Sequence, residues 1–170
     1  HWDHVFGIAT MNLTTIAHEK TDKELQKLKS YKWDDKSLDQ RVKDGIEIDF
    51  CRVNIKKEMP DRTNLVIGTA DKTFKDKMKI DLGGITCIVE HVGGNHAGGS
   101  TVVFVPEEKV LFTGDCVYPD YYDGPPYFTR TKLFSLLDKL LSYKAKFYVD
   151  SHSEPMTFEQ MRKRCDLAKK

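Results

Sequence analysis

The stretch that decides the fold runs from Asn95 to Asp115: N-H-A-G-G-S-T-V-V-F-V-P-E-E-K-V-L-F-T-G-D. His96 sits in a glycine-bracketed loop. A strand follows over 101–105, then a Pro106-Glu107-Glu108 turn, a second strand over 109–112, and a short loop ending in Gly114-Asp115. Two strands of about five residues joined by a reversing turn place His96 and Asp115 at the same end of a sheet. Glycines on both sides of His96 let the backbone bend and pack closely. An imidazole and a carboxylate gathered at strand ends form a donor set for a first-row divalent metal.

Further ligands are therefore expected at other element ends. The chain opens His1-Trp2-Asp3-His4, with three ligand-type residues in four. Near the other end, the apolar run Phe147-Tyr148-Val149 leads into Asp150-Ser151-His152.

The ordered pieces H-x-D-H, G-N-H-A-G-G-S, F-T-G-D and the late histidine resemble the metallo-β-lactamase fold superfamily, from Asp3-His4 to His152. The resemblance implies an α/β class, specifically an αβ/βα sandwich. It also implies that strands and one further histidine of the first motif precede His1. Asp3, His4, Asp115 and His152 would hold one metal ion. His1, His96 and the upstream histidine would hold a second, with Asp115 bridging. Asp3 would also position the nucleophile and carry a proton to the leaving group. The implied cofactor is zinc, two ions per complete domain; iron and manganese suit the same ligand types. Such ions lower the pKa of bound water and polarise a carbonyl or phosphoryl oxygen.

Length and charge set the frame. At 170 residues the chain reads as one domain, 1–170. Its 27 basic and 26 acidic residues argue against a dedicated nucleic-acid partner. Mean hydropathy is −0.51, and no apolar run reaches membrane-spanning length, so no membrane partner is expected. Cys51, Cys87, Cys116 and Cys165 lack C-x-x-C spacing, which suggests reduced thiols and a cytoplasmic setting.

Between the motifs the readings are local. A short strand is expected over 13–18, and Thr21-Asp22-Lys23-Glu24 fits a capping box opening a helix. His18, just before it, reads as a surface or capping residue rather than a ligand. A helix over 35–44 closes at Gly45. Ile46, Ile48 and Phe50 alternate like a strand. The region of about 19–72 reads as an insertion, either a substrate wall or a solvated excursion. Strands over 73–82 and 85–91 meet at Gly83-Gly84. His91 ends the second, either as an ordinary strand-end residue or as support behind the ligands.

After Asp115, the run from Cys116 to Phe128 is aromatic and holds three prolines. Tyr118, Tyr121 and Tyr122 are candidate substrate contacts, Tyr118 first by proximity to Asp115; the other reading is a rigid packed loop. Cys116 points opposite to Asp115 on an extended segment and so is not expected to share its site. Leu133, Leu136, Leu137, Leu140 and Leu141 follow helical spacing. Thr157 caps a last helix through Phe158, Met161, Cys165 and Ala168.

The function this points to is a metal-dependent hydrolase of a small-molecule ester, thioester or lactone. Two alternatives stand beside it: a phosphodiesterase or nuclease of the same fold, and a non-catalytic member that binds a ligand or partner. The region 19–72 and the aromatic loop do not select a substrate, and oligomeric state is open.

Overall fold

A computed structural model describes residues 1–170. Contacts group the chain into two units, residues 1–73 and 74–170.

In the second unit the quoted stretch forms β5 (Thr101–Val105) and β6 (Val110–Gly114), paired antiparallel with Val103 opposite Phe112 and Phe104 opposite Leu111. β6 starts one residue later than expected because Lys109 takes φ +53° as the last residue of the turn. The full sheet has six strands. β3 (Lys77–Asp81), β4 (Thr86–His91), β5, β6, β7 (Phe147–Asp150) and β8 (Met156–Thr157) lie in that spatial order. Only β6 and β7 run parallel, with Leu111 beside Tyr148 and Gly114 beside Asp150. A parallel neighbour requires a crossover, and α5 (Arg130–Ser142) lies between them in the chain. The ends of β6 and β7 and the start of β5 therefore share one edge of the sheet.

Alternation decides the buried face. Val102, Leu111 and Tyr148 are fully buried and pack with Leu136, Leu137 and Leu140 of α5 and with Met161 and Cys165 of α6 (Phe158–Ala168). Leu133 and Leu141 flank this core as expected. Thr157 caps α6 through a full capping box with Gln160. The predicted strand over 73–82 is instead two strands. β2 (Lys72–Phe74) pairs with β1 (Ile16–His18), and only β3 continues to β4. The break lies at Lys75-Asp76, where the Asp76 carbonyl accepts from the His91 amide at 2.8 Å. Gly83 and Gly84 turn the hairpin as expected, both with positive φ.

The first unit contains α1 (Trp2–Val5), β1, α2 (Glu19–Lys29), α3 (Asp35–Lys43) and α4 (Asp49–Glu58). Its core joins Phe6, Leu25, Trp33, Leu38, Cys51, Ile55 and Ile67. The Arg41 guanidinium lies over the rings of Tyr31 and Trp33, at 4.7 and 4.6 Å. Two sequence readings are corrected here. The start of α2 is not capped by Thr21: His18 is the N-cap, its Nδ1 accepting from the Lys20 amide, and Asp22 instead accepts from the Ala70 amide. Ile46, Ile48 and Phe50 are not a strand. Ile48 precedes α4, whose buried residues are Cys51 and Ile55 at i, i+4, while Phe50 is 70% exposed. Helical spacing wins over a three-residue alternation. α3 starts where expected, with Asp34 as N-cap, and ends one residue early at Lys43, with Asp44 as C-cap before Gly45 at φ +68°.

All four cysteines are free thiols; Cys51, Cys116 and Cys165 are buried and Cys87 is half-buried. No helix is long and apolar enough to cross a membrane.

Candidate metal centre

Three loops of the second unit meet at the shared sheet edge. The 92–100 loop carries His96, the turn after β6 carries Asp115, and the turn after β7 carries His152. Asp115 stands between the two imidazoles. Its Oδ2 is 3.5 Å from His96 Nε2, and its Oδ1 is 3.4 Å from His152 Nε2. These separations exceed a normal N–H···O hydrogen bond. They match the edge of a tetrahedron whose centre lies about 2.1 Å from each donor, the usual zinc–nitrogen and zinc–oxygen length. Each carboxylate oxygen faces a different histidine, which suits a carboxylate that bridges. The donor chemistry and spacing thus fit divalent metal.

The backbone behind these side chains explains their placement. His96 Nδ1 lies 2.9 Å from the Pro119 carbonyl. A carbonyl only accepts, so Nδ1 carries the proton and Nε2 keeps its lone pair for the site. Gly94 brings the loop against the next element: at φ +141°, a Cβ there would meet the Cys116 carbonyl oxygen at 2.9 Å. Asn95, nearly buried, donates from Nδ2 to Thr129 Oγ1 at 3.1 Å. His91 Nε2 lies 2.9 Å from the Gly98 carbonyl, so this strand-end histidine supports the ligand loop.

His152 is held by Asp150, which the sequence reading passes over as a ligand-type residue. Asp150 Oδ1 accepts from the amides of His152 at 2.9 Å and Ser153 at 2.7 Å, and Oδ2 accepts from the Ser153 hydroxyl. Arg164 lies 3.7 Å from Oδ2. Burial raises the Asp150 pKa, but these donors outweigh it and hold the carboxyl below its ordinary value. The readable signal is an aspartate with a serine three residues on, a local turn signature.

Cys116 is buried in the core. Burial first, then the Asp115 charge, pushes its thiol up to about 12. It packs rather than ligates, as its position beside Asp115 implied. The Tyr118 ring lies 5.8 Å from that of His96 and 5.9 Å from that of His152. Tyr121 meets His96 edge-on at 5.8 Å. Tyr122 stands further out, 41% exposed. Burial, then the Asp150 and Asp115 charges, raises the Tyr118 pKa, so its phenol remains a donor.

In the first unit, His1 precedes α1 and its carbonyl accepts from the His4 amide at 3.2 Å. Asp3 and His4 lie on α1, with Asp3 Oδ2 3.4 Å from His4 Nε2. His18 is buried rather than at the surface and serves as a helix cap.

Comparison with known proteins gives a consistent result. The family described as the metallo-beta-lactamase superfamily matches residues 1–152. Among solved structures, the chain is similar to a metallo-beta-lactamase family protein from Thermus thermophilus (TM-score 0.57, 17% identity), covering 95% of this chain and 53% of that one. It is similar to an archaeal metallo-beta-lactamase superfamily protein from Sulfolobus tokodaii (TM-score 0.55, 18% identity), covering 95% and 60%. It also resembles the metallo-beta-lactamase IND-7 (TM-score 0.57, 18% identity), covering 95% and 60%. The chain thus spans between half and two thirds of the length of these relatives. No curated protein matches.

Proposed function

The chain belongs to the metallo-β-lactamase superfamily, and on that premise we propose that it is a metal-dependent hydrolase of small esters, thioesters or lactones. Superfamily members are typically metal-dependent hydrolases. One observation carries the reading here: the Asp115 carboxylate presents one oxygen to His96 and the other to His152.

The proposed ligand set follows the motif order of the family. Asp3, His4, Asp115 and His152 would hold one ion, and His1, His96 and Asp115 would contribute to a second. Zinc suits imidazole and carboxylate donors, and iron or manganese would also be accepted. Bound metal would supply a Lewis acid and a water of lowered pKa. The protein's own residues would do the rest. The Pro119 carbonyl fixes the His96 tautomer. The Asp150 turn holds His152 in place. Asp3 would orient the attacking water and return a proton to the leaving oxygen or sulfur. The Tyr118 hydroxyl would donate to the substrate carbonyl oxygen as negative charge develops there. The partner is then a small molecule.

The test is metal content by elemental analysis together with turnover of an ester, a thioester, a lactone and a phosphodiester. Bound metal with turnover of any of the first three supports the reading. Turnover of the phosphodiester alone, or a protein that binds no metal, would sink it.

A further inference from the structure

Beyond Asp115 the chain builds a narrow aromatic tip. The Asp120 amide donates to the Tyr127 carbonyl at 3.1 Å, and the Tyr127 amide donates back at 3.3 Å. Asp120 Oδ1 accepts from the Tyr122 amide at 2.9 Å. Gly124, at φ +90°, turns the chain, and Pro125 and Pro126 stiffen its return. This frame holds four large rings in water: Tyr121, Tyr122, Tyr127 and Phe128 are 37, 41, 40 and 42% exposed. None of the four belongs to the unit's buried core. Aromatic rings grouped in water on a hydrogen-bonded frame mark a place where something apolar binds.

The tip is attached to the candidate metal centre, since Tyr121 meets the His96 ring edge-on. Its charge is one-sided. From Cys116 to Thr129 the loop holds Asp120 and Asp123 and no lysine or arginine. Carboxylates beside the rings repel an anionic ligand and leave an uncharged one unaffected.

We propose that this aromatic tip grips the apolar arm of an uncharged acyl substrate, so that the enzyme prefers medium-length acyl chains over acetyl groups and over anionic acyl groups. The inference rests on the hydrolase reading above and narrows its substrate. Tyr122 and Phe128, both exposed rings, are assigned as specificity residues, while Tyr121 meets the His96 ring and stays with the candidate metal centre.

Binding can be read without turnover. Butanamide, hexanamide and octanamide resist hydrolysis and are titrated calorimetrically into the full chain with its metal bound. Affinity should rise about two- to fourfold per added methylene, as burial of apolar surface requires. Adipamate, which is hexanamide with a carboxylate at the far end of its chain, should bind several-fold more weakly than hexanamide. Tyr122→Ala and Phe128→Ala should each flatten the chain-length series. Phe50→Ala, which removes an exposed ring from α4, should leave it as in the unaltered protein. A flat series in the unaltered protein, or an unchanged slope in both tip variants, would overturn the proposal. Hydrolysis of acetyl esters and thioesters is measured alongside. Turnover with a flat amide series removes the tip and keeps the hydrolase. A steep amide series without turnover of any ester removes the hydrolase and keeps a binding tip.

Discussion

Asp115 and Asp150 lie at the ends of parallel neighbouring strands and do opposite work. Asp115 faces two imidazoles and is the proposed bridge. Asp150 turns inward, where two amides, a hydroxyl and Arg164 surround it, and shapes the turn that presents His152. Asp150→Ala would leave every proposed ligand in the chain yet free the His152 turn. Its metal affinity should fall about ten- to a hundredfold, the usual effect of losing a group that orients a ligand; competition with a chromophoric chelator measures this. An unchanged affinity would show that the turn holds its shape unaided. His18→Ala is the contrasting case. His18 is buried and caps α2, so its loss should cost about 1–2 kcal/mol of stability in denaturant titration and leave metal content as it was. Loss of metal in that variant would mean the ligand assignment is wrong.

Elements place these residues through backbone contacts that side-chain reasoning overlooks. Gly94 shows this most plainly, because its φ of +141° and its approach to the Cys116 carbonyl both exclude a Cβ. Gly94→Ala must move the loop that carries His96. Expected outcomes are a loss of about 1–3 kcal/mol and weakened metal binding with all ligands intact; stability and metal content that both match the unaltered protein would refute that. Glycines flanking His96 are readable as a sign of close packing, but their contact is not, since Cys116 is distant in sequence. The same division holds along the chain. β5, β6, α5 and α6 are legible because their apolar periods are strong and their ends carry Gly, Pro or Thr signals. α4 is misread because Ile46, Ile48 and Phe50 alternate by chance of composition, while Cys51 and Ile55 carry the helical face. The start of α2 is misread because a buried histidine cap has no common sequence signature. At the candidate metal centre, His96, Asp115 and His152 are visible from residue type and strand ends. The Pro119 carbonyl is not, because any residue has a carbonyl.

At the scale of the whole molecule, stability in acid should depend on a carboxylate that is not among the candidate ligands. Glu90 on β4 is 14% exposed and ties three elements together. It lies 3.2 Å from Lys77 of β3, pairs with Lys139 of α5, and accepts from the Tyr143 hydroxyl at 2.7 Å. Burial alone would raise its pKa. The bonds from Lys139, Tyr143 and Lys77 outweigh burial and lower it from 4.5 to about 2. The sign follows from linkage. Above the unfolded value both states are ionised, and the whole contribution to stability is present. As pH falls from the unfolded value toward the folded one, the unfolded chain takes up a proton that the native state refuses, and the contribution is lost. Its size is at most on the order of 3 kcal/mol. Glu90→Gln removes this titration. With metal chelated beforehand, so that protons do not compete for the histidines, the unaltered protein should be the more stable near neutrality. The gap to Glu90→Gln should narrow steadily between about pH 5 and pH 2. Denaturant titrations of both proteins across that window measure it. A gap that stays constant would mean that the lysines and Tyr143 do not hold Glu90 ionised in the native state, and that acid unfolding begins elsewhere.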